Sequence, residues 1–248
     1  MKKIAVIGTG CLLPGYVTKE QLWERMLEGE CFLVEEIYKD KTIERGHLKK
    51  SESDVFFKKH LTKEQHEILN RKGEIYKWST YVVQEALKES GYLDNQKALE
   101  KCGIVMGTLG MFVPEYVSMF DALVKAKIET NVNSLLDEAE YVFKNSRYDE
   151  RISKDKCYVD TDNLQTIVDF FGLGKVTLSM SAACSTPLYA IKLACLYLET
   201  HKADMMVVGA NCENESVSDV CGIFDLLSIL TEKGHCNPLN KNSEGLII

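Results

Sequence analysis

The sequence predicts an α/β fold, and three observations predict it. Apolar runs of strand length recur at residues 3–8, 103–107, 176–180 and 205–209. Helical apolar patterns, two of them opened by capping signals, fall between these runs. Glycines 29, 91 and 172 then stand where each helical pattern stops, as helix C-termini favour. Buried strands alternating with helices pack as a sheet between helical layers, not as a bundle or a sandwich. With 248 residues the chain can bury a sizeable core, as one large domain or two small ones. No internal repeat, low-complexity tract or interdomain linker divides it.

Taken in order, residues 3–8 are a continuous apolar run, the pattern of a strand buried on both faces of a parallel sheet. Gly8-x-Gly10 suggests a dinucleotide fingerprint. Position 13, however, is Leu, and no acidic residue closes a second strand about 20 residues on, so Gly8, Gly10 and Gly15 read as turn residues. Thr18-Lys19-Glu20-Gln21 is a capping box that opens a short helix, with Leu22, Trp23, Met26 and Leu27 inward and Gly29 at its end. Residues 30–60 are mixed and charged, a loop with short elements. A second capping box, Thr62-Lys63-Glu64-Gln65, introduces a long helix or a helix pair. There Ile68, Leu69, Ile75, Tyr76, Val83 and Leu87 keep helical period up to Gly91.

Residues 103–107 are the next buried strand. Met111, Tyr116, Met119, Phe120 and Leu123 follow as an amphipathic stripe, which reads as core or as the wall of a substrate channel. Residues 130–162 are acidic and poorly periodic, a surface insertion apart from a helix expected from Ser134 to about Lys144. Leu164, Ile167, Val168 and Phe171 mark a short helix closed by Gly172. Residues 205–209 form another buried strand, and Gly245-Leu246-Ile247-Ile248 reads as the opening of one more.

The chemistry concentrates at Cys184. Val176, Leu178 and Met180 alternate with Thr177 and Ser179 as a half-buried strand. Leu188, Ile191, Cys195 and Leu198 then form one face of a helix. Pro187 suits the first helical turn, and Ser185 or Thr186 can cap it. Cys184 thus falls on a sharp strand-to-helix turn among Ala and Ser. The N–H groups and dipole of a helix N-terminus favour a thiolate and can hold the oxyanion formed when sulfur attacks a carbonyl. The plainer reading is a small buried Cys at a tight helix–sheet contact.

The totals exclude several classes. A formal charge of −7 with no basic stripe argues against a nucleic-acid surface. Nine cysteines without a C-x-x-C pair imply a reducing compartment and no disulfide framework. No Cys/His grouping has zinc spacing, the nearest being His235 beside Cys236, so no metal is expected. No signal peptide opens the chain and no apolar run approaches the ~20 residues a membrane span needs, which makes the cytoplasm the expected location and membrane contact unexpected.

The Ala183-Cys184-Ser185 turn, its helix and the Ala203–Ala210 strand resemble the active-site region of β-ketoacyl synthases. So do Leu230–Asn240 with Ser243–Ile248, the opening Ile4–Gly15, and Cys102–Thr108. The flavour is that of multidomain polyketide or polyunsaturated-fatty-acid synthases. The resemblance implies the thiolase-like α/β fold, a mixed sheet between helical layers, with 1–248 as the N-terminal portion of a synthase domain and about 110–165 as a helical insertion. The C-terminal half, which carries two catalytic histidines in that family, is absent from the sequence. His47, His60 and His66 read as surface residues, His201 sits at a helix end, and His235 lies in a polar turn.

By the same resemblance, Cys184 accepts an acyl group from the phosphopantetheine arm of an acyl carrier protein, and decarboxylative Claisen condensation with a malonyl unit follows. Met111 and Phe224 would line the acyl pocket, although Phe224 reads equally as a packed aromatic. No cofactor is expected on the chain itself. The expected partners are the acyl carrier protein and either a second copy, joined through the strand at 176–181, or a chain that completes the fold. The chain alone is expected to be acylated without condensing. Ala182 stands where many members carry Thr, Pro187 where a small polar residue is usual, and Asn240 where Asp is common. Two other readings stay open: a non-catalytic partner or scaffold subunit, and a thiolase-type acyltransferase.

Overall fold

The computed structural model describes residues 3–38, 41–46, 48–108, 159–212, 228–231, 239–243 and 245–247. The Met111 stripe, the helix expected from Ser134, Phe224, His47 and His235 lie outside the described residues.

The chain enters extended. Residues 3–11 join no ladder, and Ile4, Val6 and Ile7 are exposed, Val6 to 82%, so the buried strand expected at 3–8 is not formed. Apolar character asks for burial, but a strand also needs a hydrogen-bonded neighbour, and among the described residues none runs beside this segment. What sets its course is close contact with a helix. A Cβ at Gly8 would lie 2.1 Å from the Ala86 carbonyl oxygen, and one at Gly10 2.0 Å from that of Val82. These two glycines are therefore contact residues, not turn residues; Gly15, at φ 73°, does make a turn. Thr9 anchors the segment, its N–H and Oγ1 donating to Glu89 Oε2 at 2.6 and 2.9 Å. Lys19 Nζ reaches the same carboxylate at 2.8 Å. The Lys19 and Thr9 hydrogen bonds hold the Glu89 carboxyl down at about 2.

A two-residue pair, β1 (Leu12–Leu13) with β2 (Val17–Thr18), closes over the Pro14–Tyr16 turn. Helix α1 (Lys19–Leu27) starts at the expected capping box, the Thr18 N–H donating to Gln21 Oε1 at 3.3 Å, and ends before Gly29 at φ 72°. Its predicted inward face is not buried. Trp23, Met26 and Leu27 are exposed and no residue of α1 is fully covered, because among the described residues the helix packs chiefly on β2 and touches α4 through the Lys19–Glu89 pair. Residues 30–60 are more regular than their mixed composition suggests. They form an antiparallel hairpin of β3 (Val34–Tyr38) and β4 (Lys41–Arg45), then helix α2 (Lys50–His60). Charged residues dilute the apolar periodicity here. The order comes from Phe56, whose ring lies 5.0 Å from Tyr16, 5.1 Å from Phe57 and 5.1 Å from Tyr81.

Helix α3 (Lys63–Lys72) carries the full capping box, Gln65 N–H to Thr62 Oγ1 at 3.1 Å and Thr62 N–H to Gln65 Oε1 at 3.0 Å. Gly73, at φ 135°, breaks it from α4 (Glu74–Glu89), so of the two arrangements expected here, one long helix or a pair, the chain forms the pair. His66 is buried, against the surface placement expected for it. Set three residues before Leu69, it faces the helix pair, with Nδ1 3.1 Å from Asn70 Nδ2 and Nε2 3.8 Å from Asp54. Beside it Lys77 Nζ bridges Glu74 at 2.8 Å and Asp54 at 3.5 Å, and Ser53 donates to Glu74.

A short helix, α5 (Gln96–Leu99), leads to the centre of the fold. Strand β5 (Cys102–Thr108) lies between β6 (Thr177–Met180) and β7 (Met205–Asn211), all parallel. Helix α6 (Val159–Phe171) fills the first crossover and α7 (Thr186–Glu199) the second. Cys102, Ile104 and Met106 face one layer, packing with Val83, Leu87, Leu164, Ile167 and Phe171 of α4 and α6. By strand alternation Gly103, Val105 and Gly107 face the other, where α7 lies. Strand β7, expected to be buried, is only half so, with Val208 exposed, because among the described residues it is a sheet edge. The strand expected to open at Gly245 is a single parallel bridge, Leu246 with Leu230.

Gly10→Ala is expected to destabilise the chain by about 1–3 kcal/mol, since the new methyl meets helix backbone that cannot move aside. Gly29→Ala, strained in φ but facing open space, should cost about 1 kcal/mol. Urea midpoints at constant slope check the ranking, and equal shifts would refute the docking of residues 8–10 on α4.

Candidate active site

The three parallel strands end together. In register, Gly107 sits opposite Met180 on one side and Ala210 on the other, and Thr108 opposite Asn211. Their carboxyl ends form one edge, which is where ligands sit in open α/β sheets. Cys184 stands just beyond that edge. The chain leaves β6 at Met180, makes a 3₁₀ turn over Ala183–Ser185, and enters α7 at Thr186 with Pro187 in the first turn, as expected. Cys184 is exposed, so the reading of it as a buried small residue does not hold.

The turn is built from small residues and hydroxyls. Ala183 adopts φ 49°, left-handed for a residue with a Cβ, which costs of order 1 kcal/mol and must be held by its surroundings. Ser185 donates to the Ala182 carbonyl twice, by Oγ at 2.7 Å and N–H at 3.1 Å. The Ala182 N–H donates to Thr186 Oγ1 at 2.7 Å, and that hydroxyl donates to the Ala183 carbonyl at 2.7 Å. The expectation that Ser185 or Thr186 caps α7 is corrected here. Neither side chain caps the helix, because both are turned back to brace the turn that precedes it.

The inward face of α7 also differs from expectation. Thr186, Ala190 and Ala194 are buried against the sheet, while Leu188 and Ile191 are exposed. Small residues lie inward because the helix comes very close. A Cβ at Gly107 would stand 2.0 Å from Thr186 Cγ2 and 3.5 Å from Ala210 Cβ. Gly107 therefore lets the head of α7 reach the strand ends. Its signal was present in the sequence as an isolated glycine inside an apolar strand, which marks close approach.

Behind the edge lies a buried polar node. Ser79 Oγ on α4 donates to the Ile75 carbonyl at 2.8 Å and accepts from Asn163 Nδ2 of α6 at 2.9 Å and Asn211 Nδ2 at the end of β7 at 2.6 Å. It ties the end of β7 to both helices of that layer. No local pattern announces it, since its three members come from three distant elements.

The thiols divide by environment. Cys102, inside β5, is buried and desolvation pushes its thiol up to about 11. Cys11 is half-covered and raised, first by burial and then by the Glu20 charge. Cys31 and Cys212 are exposed as well, Cys31 in the stretch between α1 and β3. Cys184 combines exposure with a helix N-terminus. Among the described residues no group of three His, Cys, Asp or Glu could hold a metal, and no helix is long and apolar enough to cross a membrane. His60 stacks on Phe56 at 4.4 Å, and His201 lies at the far end of α7 from Cys184. Met111 and Phe224 fall outside the described residues.

Known proteins match along the whole chain. Residues 1–248 match the family described as beta-ketoacyl synthase, N-terminal domain. A subunit of the polyunsaturated fatty acid synthase from Thraustochytrium is 26% identical over 262 residues, covering 99% of this chain and 12% of the relative. Among solved structures, the PfaC keto synthase–chain length factor superposes with a TM-score of 0.66 at 22% identity, over 100% of this chain and 28% of its own. A type II polyketide ketosynthase, solved with its acyl-carrier protein and bound to the hexaketide, superposes at 0.64 with 14% identity over 98% and 54%. These superpositions show the thiolase-like α/β fold, of which the chain spans a part of each relative's length.

Gly107→Ala is expected to lower stability by about 1–3 kcal/mol, since the added methyl meets Thr186 Cγ2 at the head of α7. Thermal unfolding checks it, and an unchanged midpoint would show that α7 does not depend on the missing side chain at Gly107.

Proposed function

The chain belongs to the β-ketoacyl synthase N-terminal domain family, and on that premise we propose that Cys184 is the nucleophile of an acyl transfer. The observation that carries the proposal is the exposed sulfur at the head of α7, beyond the carboxyl edge of the parallel sheet. The Cys184 thiolate attacks the carbonyl of an acyl thioester. A carbon–sulfur bond forms and the oxyanion meets the N–H of Cys184 and the dipole of α7. The bond to the donor sulfur then breaks, and the leaving thiolate takes up the proton that Cys184 gave up. The acyl chain is left as a thioester on Cys184.

The donor in this reading is the phosphopantetheine arm of an acyl carrier protein, supported by the related ketosynthase solved with its own carrier. Met111 and Phe224 line the acyl pocket. The product is extended by decarboxylative condensation with a malonyl carrier, and residues 1–248 supply the N-terminal portion of the domain that does so, with 110–165 as its insertion. In this reading the groups that activate the malonyl unit come from outside this chain: among the described histidines His60 and His66 are packed among the helices and His201 is a helix length from Cys184, and His47 and His235 lie outside the described residues. A second copy joins along β6, a sheet edge among the described residues with Thr177 and Ser179 exposed. The working compartment is the reducing cytoplasm.

Incubation with a short-chain acyl thioester of N-acetylcysteamine, followed by peptide mass spectrometry, tests the nucleophile. Acyl mass is expected on Cys184 and to vanish in Cys184→Ser. Cys102 is expected to stay unmodified at pH 8, well below its titration. Its buried neutral thiol favours the folded chain below pH 9, and that contribution is lost as pH rises through about 11. Acyl groups spread evenly over Cys31, Cys184 and Cys212 would favour a scaffold instead. With a malonyl donor added, no β-ketoacyl product is expected, and its appearance would refute the assignment of malonyl activation to groups outside the chain.

A further inference from the structure

We propose that Thr186 is a positioning residue for the acyl transfer, its hydroxyl locking the left-handed Ala183 so that the Cys184 sulfur and N–H face the same carbonyl. The inference rests on Cys184 being the nucleophile and goes beyond it by naming the group that holds its geometry.

Three observations converge on this one hydroxyl. Ala183, next to Cys184, is held at φ 49°, a conformation that a residue with a Cβ leaves when it is free to do so. Thr186 Oγ1 spans that residue, accepting from the Ala182 N–H before it and donating to the carbonyl of Ala183 itself, each at 2.7 Å. Ser185 reaches only the Ala182 carbonyl, so no other described side chain binds both flanks. Thirdly, Thr186 is itself immobilised. It is buried, and its methyl fits the notch at Gly107, where a Cβ would lie 2.0 Å away. The side chain is branched at Cβ, so seating the methyl fixes χ1 and with it the hydroxyl. The sheet thereby dictates the direction of the turn through one rotamer.

The consequence for chemistry is specific. If Ala183 relaxes, the sulfur remains exposed, but the Cys184 N–H rotates relative to it. A reaction needing only a bare thiol then survives, whereas one that develops an oxyanion at that N–H suffers. Alkylation by iodoacetamide is of the first kind, and acylation by a thioester of the second.

The test compares Thr186→Val, which keeps the shape and loses the hydroxyl, with Thr186→Ser, which keeps the hydroxyl. Single-turnover acylation of Cys184 by hexanoyl-N-acetylcysteamine is followed by mass spectrometry, alongside iodoacetamide alkylation of the same residue. Protection of buried Cys102 reports folding in each sample. The maximal acylation rate of Thr186→Val is expected to fall about tenfold or more, that of Thr186→Ser by less than that of Thr186→Val because it keeps the hydroxyl but loses the methyl that fixes it, and alkylation by less than about threefold in both. If Thr186→Val exposes Cys102, Thr186→Ala, which cannot overfill the notch, is read in its place. Acylation of the valine or alanine variant at the unsubstituted rate would overturn the positioning role while leaving Cys184 as nucleophile. Failure of the unsubstituted chain to acylate Cys184, with alkylation intact, would instead overturn the nucleophile and with it this inference. Parallel loss of acylation and alkylation with Cys102 still protected would show that Thr186 governs exposure of the sulfur and would refute its selective role.

Discussion

The contact between Gly107 and Thr186 sets the geometry on which the rest of the site depends. Helix α7 approaches β5 so closely that no Cβ fits between them. A helix at that distance can turn only small side chains inward, so Thr186, Ala190 and Ala194 form its buried face. The larger Leu188 and Ile191 are left outward. The approach also confines residues 181–185, which must reverse direction between a strand end and a helix start that nearly touch. A left-handed Ala183 solves that closure, and two hydroxyls hold it. The cysteine that follows is carried outward and left uncovered.

The same sheet treats its two central thiols in opposite ways. Cys102 begins β5 with its sulfur in the α4–α6 layer, where desolvation keeps it neutral and withdrawn. Cys184 lies past the opposite end of the strands and in water. Exposure is thus decided by position along the sheet. The polar groups follow a similar rule. At the carboxyl edge Ser79, Asn163 and Asn211 hold β7 against α4 and α6, backing the edge with neutral polar groups. At the other end of α4, charges gather on the surface, where Glu89 clamps Lys19 and Thr9 and fastens the extended entry segment across the helix.

Much of this was legible locally. Capping boxes at Thr18 and Thr62, stop glycines at 29, 91 and 172, and the strands at 103–107 and 176–180 all appear where residue pattern put them. Each depends on neighbours within a few positions, so chain order suffices to find it. The strand-to-helix turn was legible for the same reason, and with it the exposed cysteine. What escaped were features whose partner is distant in sequence. Gly8 and Gly10 are explained only by the carbonyls of Ala86 and Val82. The burial of His66 follows from the packing of α3 on α4, and the exposure of Trp23, Met26 and Leu27 from the lack of a layer over α1 among the described residues.

By itself, then, the order of residues determined the α/β class, the family, the helix ends marked by capping boxes and stop glycines, and the identity of the nucleophile candidate, because propensity, capping and motif spacing are short-range properties. The tertiary structure alone decided which face of α7 is covered, which way the hydroxyls of Ser185 and Thr186 turn, and whether an apolar run such as 3–8 becomes a strand. Each of those depends on how near a second element comes, and that distance is set by groups far away in the chain, such as the missing side chain at Gly107.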